Sequence, residues 1–392
     1  MLPLAAWRDR PGLDRLAAAL GAEQGAARYV GGAVRDTLLG LPVADIDIAT
    51  RHAPQEVVAR LEAAGIKAIP TGIAHGTITA VSSGTVVEVT TLRRDLTTDG
   101  RHATVAFTGD WQEDAARRDF TMNALYADPL DGTVYDWFGG MDDLAAGRVR
   151  FIGDPYRRIA EDHLRILRFF RFHARFGDAI DEAGLDACTD RANDLMALSR
   201  ERIAAEMLKL LVARRAVSVV ALMVERGILR PVLPEIADVP ALAALADREA
   251  QAGIAPDAIR RLAALIPREA ADAVGARLRL SNADRKRLIA ATEGPGDEGP
   301  RALAYRVGSQ IATDRLLLAG ESPQDVEGWS PPRLPISGGD LVARGIERGP
   351  EVARALRAIE SRWLAEGFPD AARVAAIADE VTAQLLRAIS NS

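Results

Sequence analysis

Tyr29-Val30-Gly31-Gly32-Ala33-Val34-Arg35-Asp36 decides the reading of this chain. A short apolar strand runs into two glycines and then into a helix-compatible segment. Glycine lets backbone amides approach a phosphate, and a helix N-terminus favours its charge. Arg35 adds a guanidinium suited to bidentate phosphate contact. The same glycine pair also serves an ordinary strand-to-helix turn that needs positive φ. The next stretch bears on the choice. Asp45-Ile46-Asp47-Ile48-Ala49 begins thirteen residues after Gly32. On a strand, residues i and i+2 face the same side. Asp45 and Asp47 are therefore expected to project together, with Ile46 and Ile48 in the core. Adjacent carboxylates repel unless a cation sits between them. Hard oxygen donors suit Mg²⁺ held together with substrate phosphates. A glycine turn followed by Asp-X-Asp thus points to phosphoryl transfer. Val86-Val87-Glu88-Val89-Thr90 offers a third acid. Flanked by apolar neighbours, Glu88 reads as a buried carboxylate that is costly unless paired or metal-bound. The alternative is an edge-strand glutamate facing water.

Around these stretches lies an ordinary globular composition. The chain has 392 residues, 48% hydrophobic and 27% charged, which suits two or three domains and excludes extended disorder. No run approaches the ~18 apolar residues of a membrane span. Arg8, Asp9, Arg10 and Asp14 interrupt any apolar leader. One cysteine, Cys188, excludes an internal disulfide and a cysteine zinc cluster, and the compartment reads as cytoplasmic. Net charge is −6, so a wholly basic nucleic-acid binder is excluded while local basic patches are not. The last of five histidines is His173, so a histidine-dependent metal hydrolase domain is excluded beyond it.

Composition shifts near residue 150. Before it, β-rich runs alternate with turns and helices: Arg28–Val30, Ile46–Ala49, Gly76–Val81, Thr85–Leu92 and Ala103–Phe107. After it, the chain reads as nearly continuous amphipathic helix. Gly294 to Pro300 and Trp329 to Pro335 must interrupt helix. No fixed-period repeat argues for a solenoid.

Gly-Gly-Ala-Val-Arg-Asp (31–36) followed by Asp-Ile-Asp (45–47) resembles the opening of class II tRNA nucleotidyltransferases, the CCA-adding enzymes. These share the polymerase-β nucleotidyltransferase superfamily with bacterial poly(A) polymerases. Arg117-Arg118-Asp119-Phe120-Thr121-Met122-Asn123-Ala124-Leu125 is similar to the next motif of the family. Glu161-Asp162-His163-Leu164-Arg165 matches its Glu-Asp-x-x-Arg. Ser199-Arg200-Glu201-Arg202-Ile203, with Glu206, resembles the helical motif that follows. The resemblance spans roughly residues 27 to 210, in family order.

It implies an α+β chain: a polymerase-β-type head with a mixed sheet and helices (1–145), an all-α neck and body (146–280) and a helical tail (281–392). It implies Mg²⁺-dependent addition of CCA to the tRNA 3′ end from CTP and ATP. Asp45 and Asp47 are the implied metal ligands, with Glu88 as third acid. Gly31, Gly32 and Arg35 are implied to hold the triphosphate. Arg118, Asp119 and Asn123 are implied to contact the nucleotide, Asp119 at the ribose hydroxyls. Glu161, Asp162 and Arg165 form the implied template for the base, and Arg168 joins the nucleotide-binding set. The helical remainder would read the acceptor and TΨC arms by shape. No membrane and no obligate protein partner are expected.

The template also has a reading from spacing alone. Residues three and four apart share a helix face. Asp162 or Glu161 with Arg165 would present an acceptor and a donor side by side. That pair suits the amino group and ring acceptors of cytosine and adenine. An ordinary helix salt bridge uses the same spacing. His163 stands where the family usually has proline, which leaves room for a helix that starts earlier. From Arg148 to Arg175 there are eight arginines; Arg165, Arg168, Arg171 and Arg175 share one broad helix side as a phosphate grip or a solvated face. Phe169, Phe170, Phe172 and Phe176 interleave toward the core.

Thr98-Asp99-Gly100-Arg101-His102 reads as a polar turn, in a region where the family has a flexible loop aiding the C-to-A switch. Pro70-Thr71-Gly72-Ile73-Ala74-His75-Gly76-Thr77 resembles the CCA-adding pattern and lacks the Arg-rich stretch of poly(A) polymerases. Those polymerases, and partial enzymes adding only CC or A, remain the alternatives. An RNA-binding protein with a dead head is disfavoured by intact Asp45 and Asp47. A small-molecule nucleotidyltransferase is disfavoured by the basic neck and helical tail. Gly338-Gly339-Asp340-Leu341 and Gly349-Pro350 take a turn and helix-start role.

Overall fold

Thr85-Val86-Val87-Glu88-Val89-Thr90-Thr91 is β-branched at every position but one, the composition of a half-buried pleated surface. In the computed structural model, which describes residues 1–99 and 102–390, it is a central strand of a seven-stranded sheet. The strands are β1 (Ala27–Val30), β2 (Asp47–Thr50), β3 (Lys67–Gly72), β4 (Thr77–Ser82), β5 (Thr85–Thr91), β6 (Arg93–Asp99), β7 (His102–Phe107), β8 (Tyr126–Ala127) and β9 (Val134–Tyr135). The sheet order is β3-β4-β5-β2-β1-β8-β9, and β6 pairs with β7 apart from it. Only β2 and β5 run parallel; the other named pairs are antiparallel, so the sheet is mixed as expected. Gly100 and Arg101 of the expected polar turn lie outside the described residues.

Each expected β run coincides with a strand within a residue or two. Of the strands not foreseen, β8 and β9 have two residues each, β3 carries Pro70, and β6 is the polar run Arg93–Asp99. An edge position tolerates proline because its amide faces no partner. Ser83 and Gly84, with φ of 50° and 86°, close the two-residue β4–β5 hairpin.

The chain divides into two compact units, Met1–Ile236 and Ala237–Ser392. In the first, the sheet gives way to helices at Pro155–Glu161, Leu164–Phe176 and Arg200–Leu211. Phe169 and Phe170 are fully buried, and Phe120 packs at 5.0 Å from Phe151 and 5.2 Å from Phe172. Each such burial contributes roughly 1.5–3 kcal/mol, which locks the Arg117–Leu125 segment against the Leu164–Phe176 helix.

In the second unit every named element is helical. Trp363 anchors a core cluster with Ile359, Val374 and Ile377. Arg260 and Arg261 clamp the buried Glu249, and Arg260 and Arg287 clamp the buried Asp314. Gly294 to Gly299 and Trp329 to Pro335 are non-helical, Pro300 and Pro350 each open a helix, and Ser337 with Asp340 forms a capping box. Among the described residues no helix is long and apolar enough to cross a membrane.

Candidate active site

β1 ends at Val30, and Gly31 then adopts φ 67° and ψ −122°, a conformation that side chains avoid. A Cβ there would also meet Arg118 Nη1 at 3.3 Å. The Gly31 amide donates to the Leu125 carbonyl at 3.1 Å, so it is used within the fold. Gly32 opens the Gly32–Leu38 helix. Both glycines line a cavity of about 500 Å³, together with Arg35, Asp47, Arg118, Asp119, Asn123, Asp162, Arg165 and Arg168. Most of the expected nucleotide-binding residues thus surround one space. Arg93, Arg117, Leu164, Phe172 and Arg202 line it as well and were not foreseen as site residues. Arg117, Leu164 and Arg202 lay inside the quoted motifs and Phe172 among the core-facing phenylalanines; Arg93 carried no signal of its own.

Asp47 is half-buried at the start of β2 and registers against Glu88 on β5. Asp45, Asp47 and Glu88 line a second cavity of about 790 Å³. Asp47 lines both cavities. Burial first, then Glu88 and Asp45, push its pKa up to about 6, against the pull of Arg118. Ile46 and Ile48 are buried as expected. Asp45, however, precedes the strand and is exposed, so the two aspartates do not share one strand face by pleat alone.

Glu88 also departs from expectation. It is exposed on a strand internal to the sheet, neither a buried acid nor an edge residue. The alternation puts Val87 and Val89 inward and Glu88 with Val86 outward. Among the described residues no group of three or more His, Cys, Asp or Glu side chains is gathered to hold a metal. Asp45, Asp47 and Glu88 share the lining of the second cavity.

Arg35 is buried, donating from Nε to Asp36 Oδ1 at 2.8 Å and from Nη1 to Asn123 Oδ1 at 2.6 Å. Asp119 Oδ1 accepts from the Phe120 amide at 2.8 Å and Asn123 Nδ2 at 2.9 Å, and its Oδ2 accepts from Arg168 Nε at 2.8 Å. Burial alone would raise the Asp119 pKa, but Arg168, Asn123 and the Phe120 amide hold it at about 2. One network therefore joins Arg35, Asn123, Asp119 and Arg168.

The template geometry differs from the single-helix reading. One helix ends at Glu161, Asp162 is extended at φ −153° and ψ 107°, and the next helix begins at Leu164. Across the break, Arg165 Nη1 still donates to Glu161 Oε2 at 2.7 Å. Asp162 Oδ2 instead accepts from Arg202 Nη2 at 2.8 Å, and its Oδ1 from the Leu164 amide at 3.1 Å. Glu161 bonds Arg158 and Arg165 and is not among the cavity-lining residues. Asp162 and Arg165 both line the cavity, each held by a different partner. His163 has φ −60°, the value proline would impose, and the helix starts after it rather than earlier. In the arginine stripe each member has an acid: Arg165 with Glu161, Arg168 with Asp119, Arg171 with Glu206 and Arg175 with Asp36. The interleaved phenylalanines are buried as expected.

Comparison with known proteins agrees with this layout. Residues 27–150 match the poly A polymerase head domain, and residues 179–239 match a domain described as the probable RNA and SrmB-binding site of polymerase A. The mitochondrial CCA tRNA nucleotidyltransferase 1 of Mus musculus is 36% identical over 383 residues, covering 91% of this chain and 87% of that protein. The CCA-adding enzyme of Lacticaseibacillus paracasei is 41% identical over 198 residues, 48% of each chain. The crystal structure of the Bacillus stearothermophilus CCA-adding enzyme in complex with CTP aligns with a TM-score of 0.72 at 28% identity, covering 91% of this chain and 94% of that one. With a relative of this identity matching over most of its length, this chain belongs to the CCA-adding tRNA nucleotidyltransferase family.

Proposed function

We propose that this chain completes the 3′ end of tRNA, transferring CMP and then AMP from CTP and ATP to the RNA 3′-hydroxyl with release of pyrophosphate. The observation that carries the reading is that Asp47 lines both cavities. Transfer needs two reactants to meet at one carboxylate. The basic cavity suits the nucleotide, with Arg35 and Arg118 toward the triphosphate and Asp119 and Asn123 toward the ribose. The cavity beside Asp45 and Glu88 suits the RNA terminus. Asp162 and Arg165 supply an acceptor and a donor for the base edge, while Glu161 positions Arg165. Arg168 holds Asp119 in place.

Asp45 and Asp47 would hold Mg²⁺; burial raises the Asp47 pKa first and the repulsion of Glu88 and Asp45 adds to it, and a cation there would offset that repulsion. When bound there, it would favour ionisation of the 3′-hydroxyl and neutralise charge on the triphosphate. In this reading residues 1–145 carry the chemistry, 146–280 the base template, and 281–392 extend the helical surface for the acceptor and TΨC arms. A single buried cysteine fits a cytoplasmic enzyme, although the mouse relative is named as mitochondrial.

The test uses purified protein, Mg²⁺ and a tRNA transcript lacking CCA, with products sized at single-nucleotide resolution. CC from CTP alone and one further A with both nucleotides is the expected result. Long A tracts on unrelated RNA would identify a poly(A) polymerase, and arrest after CC or A alone a partial enzyme. No extension at all would reject the reading.

A further inference from the structure

Asp114 is 1% exposed in the Trp111–Ala116 helix and lines neither cavity. Its Oδ1 accepts from the Arg93 amide at 3.1 Å and Arg117 Nε at 3.0 Å. Its Oδ2 accepts from Arg118 Nη2 at 3.2 Å and from the Tyr126 hydroxyl. That hydroxyl in turn accepts from Arg118 Nε at 3.1 Å, so Arg118 is held at two nitrogens. Arg93, Arg117 and Arg118 all line the basic cavity. One carboxylate outside the cavity is thus bonded to three residues on its wall. The spacing explains the pairing, because Arg117 and Arg118 lie three and four residues beyond Asp114 at the end of its helix.

We propose that Asp114 is a positioning residue that aims Arg117 and Arg118 at the nucleotide phosphates and, through the Arg93 amide, ties the base of the β6–β7 hairpin to the same wall. The proposal rests on the reading of that cavity as the nucleotide site. Burial alone would raise the Asp114 pKa, but Arg118, Arg117, Tyr126 and the Arg93 amide hold it at about 2, so the carboxylate is charged throughout the assay range. Its charge and its geometry make opposite predictions. Deleting a negative charge behind two arginines strengthens phosphate attraction by Coulomb's law alone. Releasing the two arginines from their orientation weakens it.

The experiment measures KM and kcat for CTP and ATP with D114N, Y126F, R118A and the two double variants carrying R118A, with thermal melting as a fold control. Positioning requires D114N to raise both KM values by roughly tenfold, with kcat falling less. Y126F keeps the Asp114 charge and is expected to raise KM by about threefold, which preserves the test if D114N does not fold. In the R118A background neither change adds its full effect. An unchanged or lowered KM in the folded variants, or full additivity with R118A, overturns the Asp114 role while leaving the cavity assignment intact. If R118A itself leaves both KM values unchanged, the cavity assignment fails and the proposal falls with it.

Discussion

Asp119→Asn separates charge from shape on the wall of the basic cavity proposed to take the nucleotide. Asp119 is 8% exposed, and its pKa is held at about 2 against an ordinary 3.8. The folded value lies below the unfolded one, so the fold favours the charged form. The resulting stability is fully present above about pH 4 and is lost as pH falls toward 2. A difference of nearly two pKa units corresponds to about 2 kcal/mol at neutral pH and about 1 kcal/mol at pH 3. Asparagine keeps an acceptor for the Phe120 amide and Asn123 but turns its NH₂ toward Arg168, where only an acceptor fits. The variant is therefore expected to lose about 2 kcal/mol at pH 7 and about half as much at pH 3. Urea unfolding at the two pH values, read by circular dichroism, measures both losses. Equal losses at pH 7 and pH 3 would refute the electrostatic account and leave packing as the cause.

Four further outcomes are expected. Asp47→Ala abolishes transfer while gel-shift affinity for CCA-less tRNA stays within about threefold, and a parallel loss of binding would remove Asp47 from the chemistry. Arg165→Ala blurs the choice of CTP and ATP over UTP and GTP more than it slows transfer, scored by misincorporation; unchanged selectivity rejects the template. Gly31→Ala costs about 1–3 kcal/mol, because its φ of 67° and ψ of −122° strain any side chain and the new Cβ crowds Arg118, and denaturant melting checks it. His173 is buried and its pKa is lowered from 6.5 to about 4, first by burial and then by Arg215, so its contribution is present above about pH 6.5 and lost on acidification. Asp47, raised to about 6, works in the opposite direction over the same range. Without divalent ions, Asp47→Asn should therefore unmask an acid-side loss of up to about 3 kcal/mol between pH 7 and 4, and a flat profile would contradict the His173 assignment.

Legibility followed the range of each interaction. The Thr85–Leu92 run was readable because a β-branched run is a local signal, whereas its parallel pairing with β2 is set by the fold. Which face of β5 is covered was not readable, and Glu88 emerged on the open one. The Glu161-Asp162-His163-Leu164-Arg165 run was legible as a motif, yet the extended backbone at Asp162 broke the helix that its spacing suggested. The spacing of Asp114 from Arg117 and Arg118 is local, but its bonds to the Arg93 amide and the Tyr126 hydroxyl exist only in the folded chain.

By itself the sequence determined the mixed head, the helical remainder, the family and the chemical types in the site. These rest on periodicity, glycine punctuation and ordered motifs, all expressed over short stretches of chain. Only the tertiary structure decided which charges meet. Asp119 and Arg168 are 49 residues apart, and Asp162 and Arg202 are 40 apart. Coulomb and hydrogen-bond energies depend on separation in space, over a few ångströms. No spacing along the chain could therefore state that Asp162 is held by Arg202, or that one carboxylate, Asp47, faces both cavities.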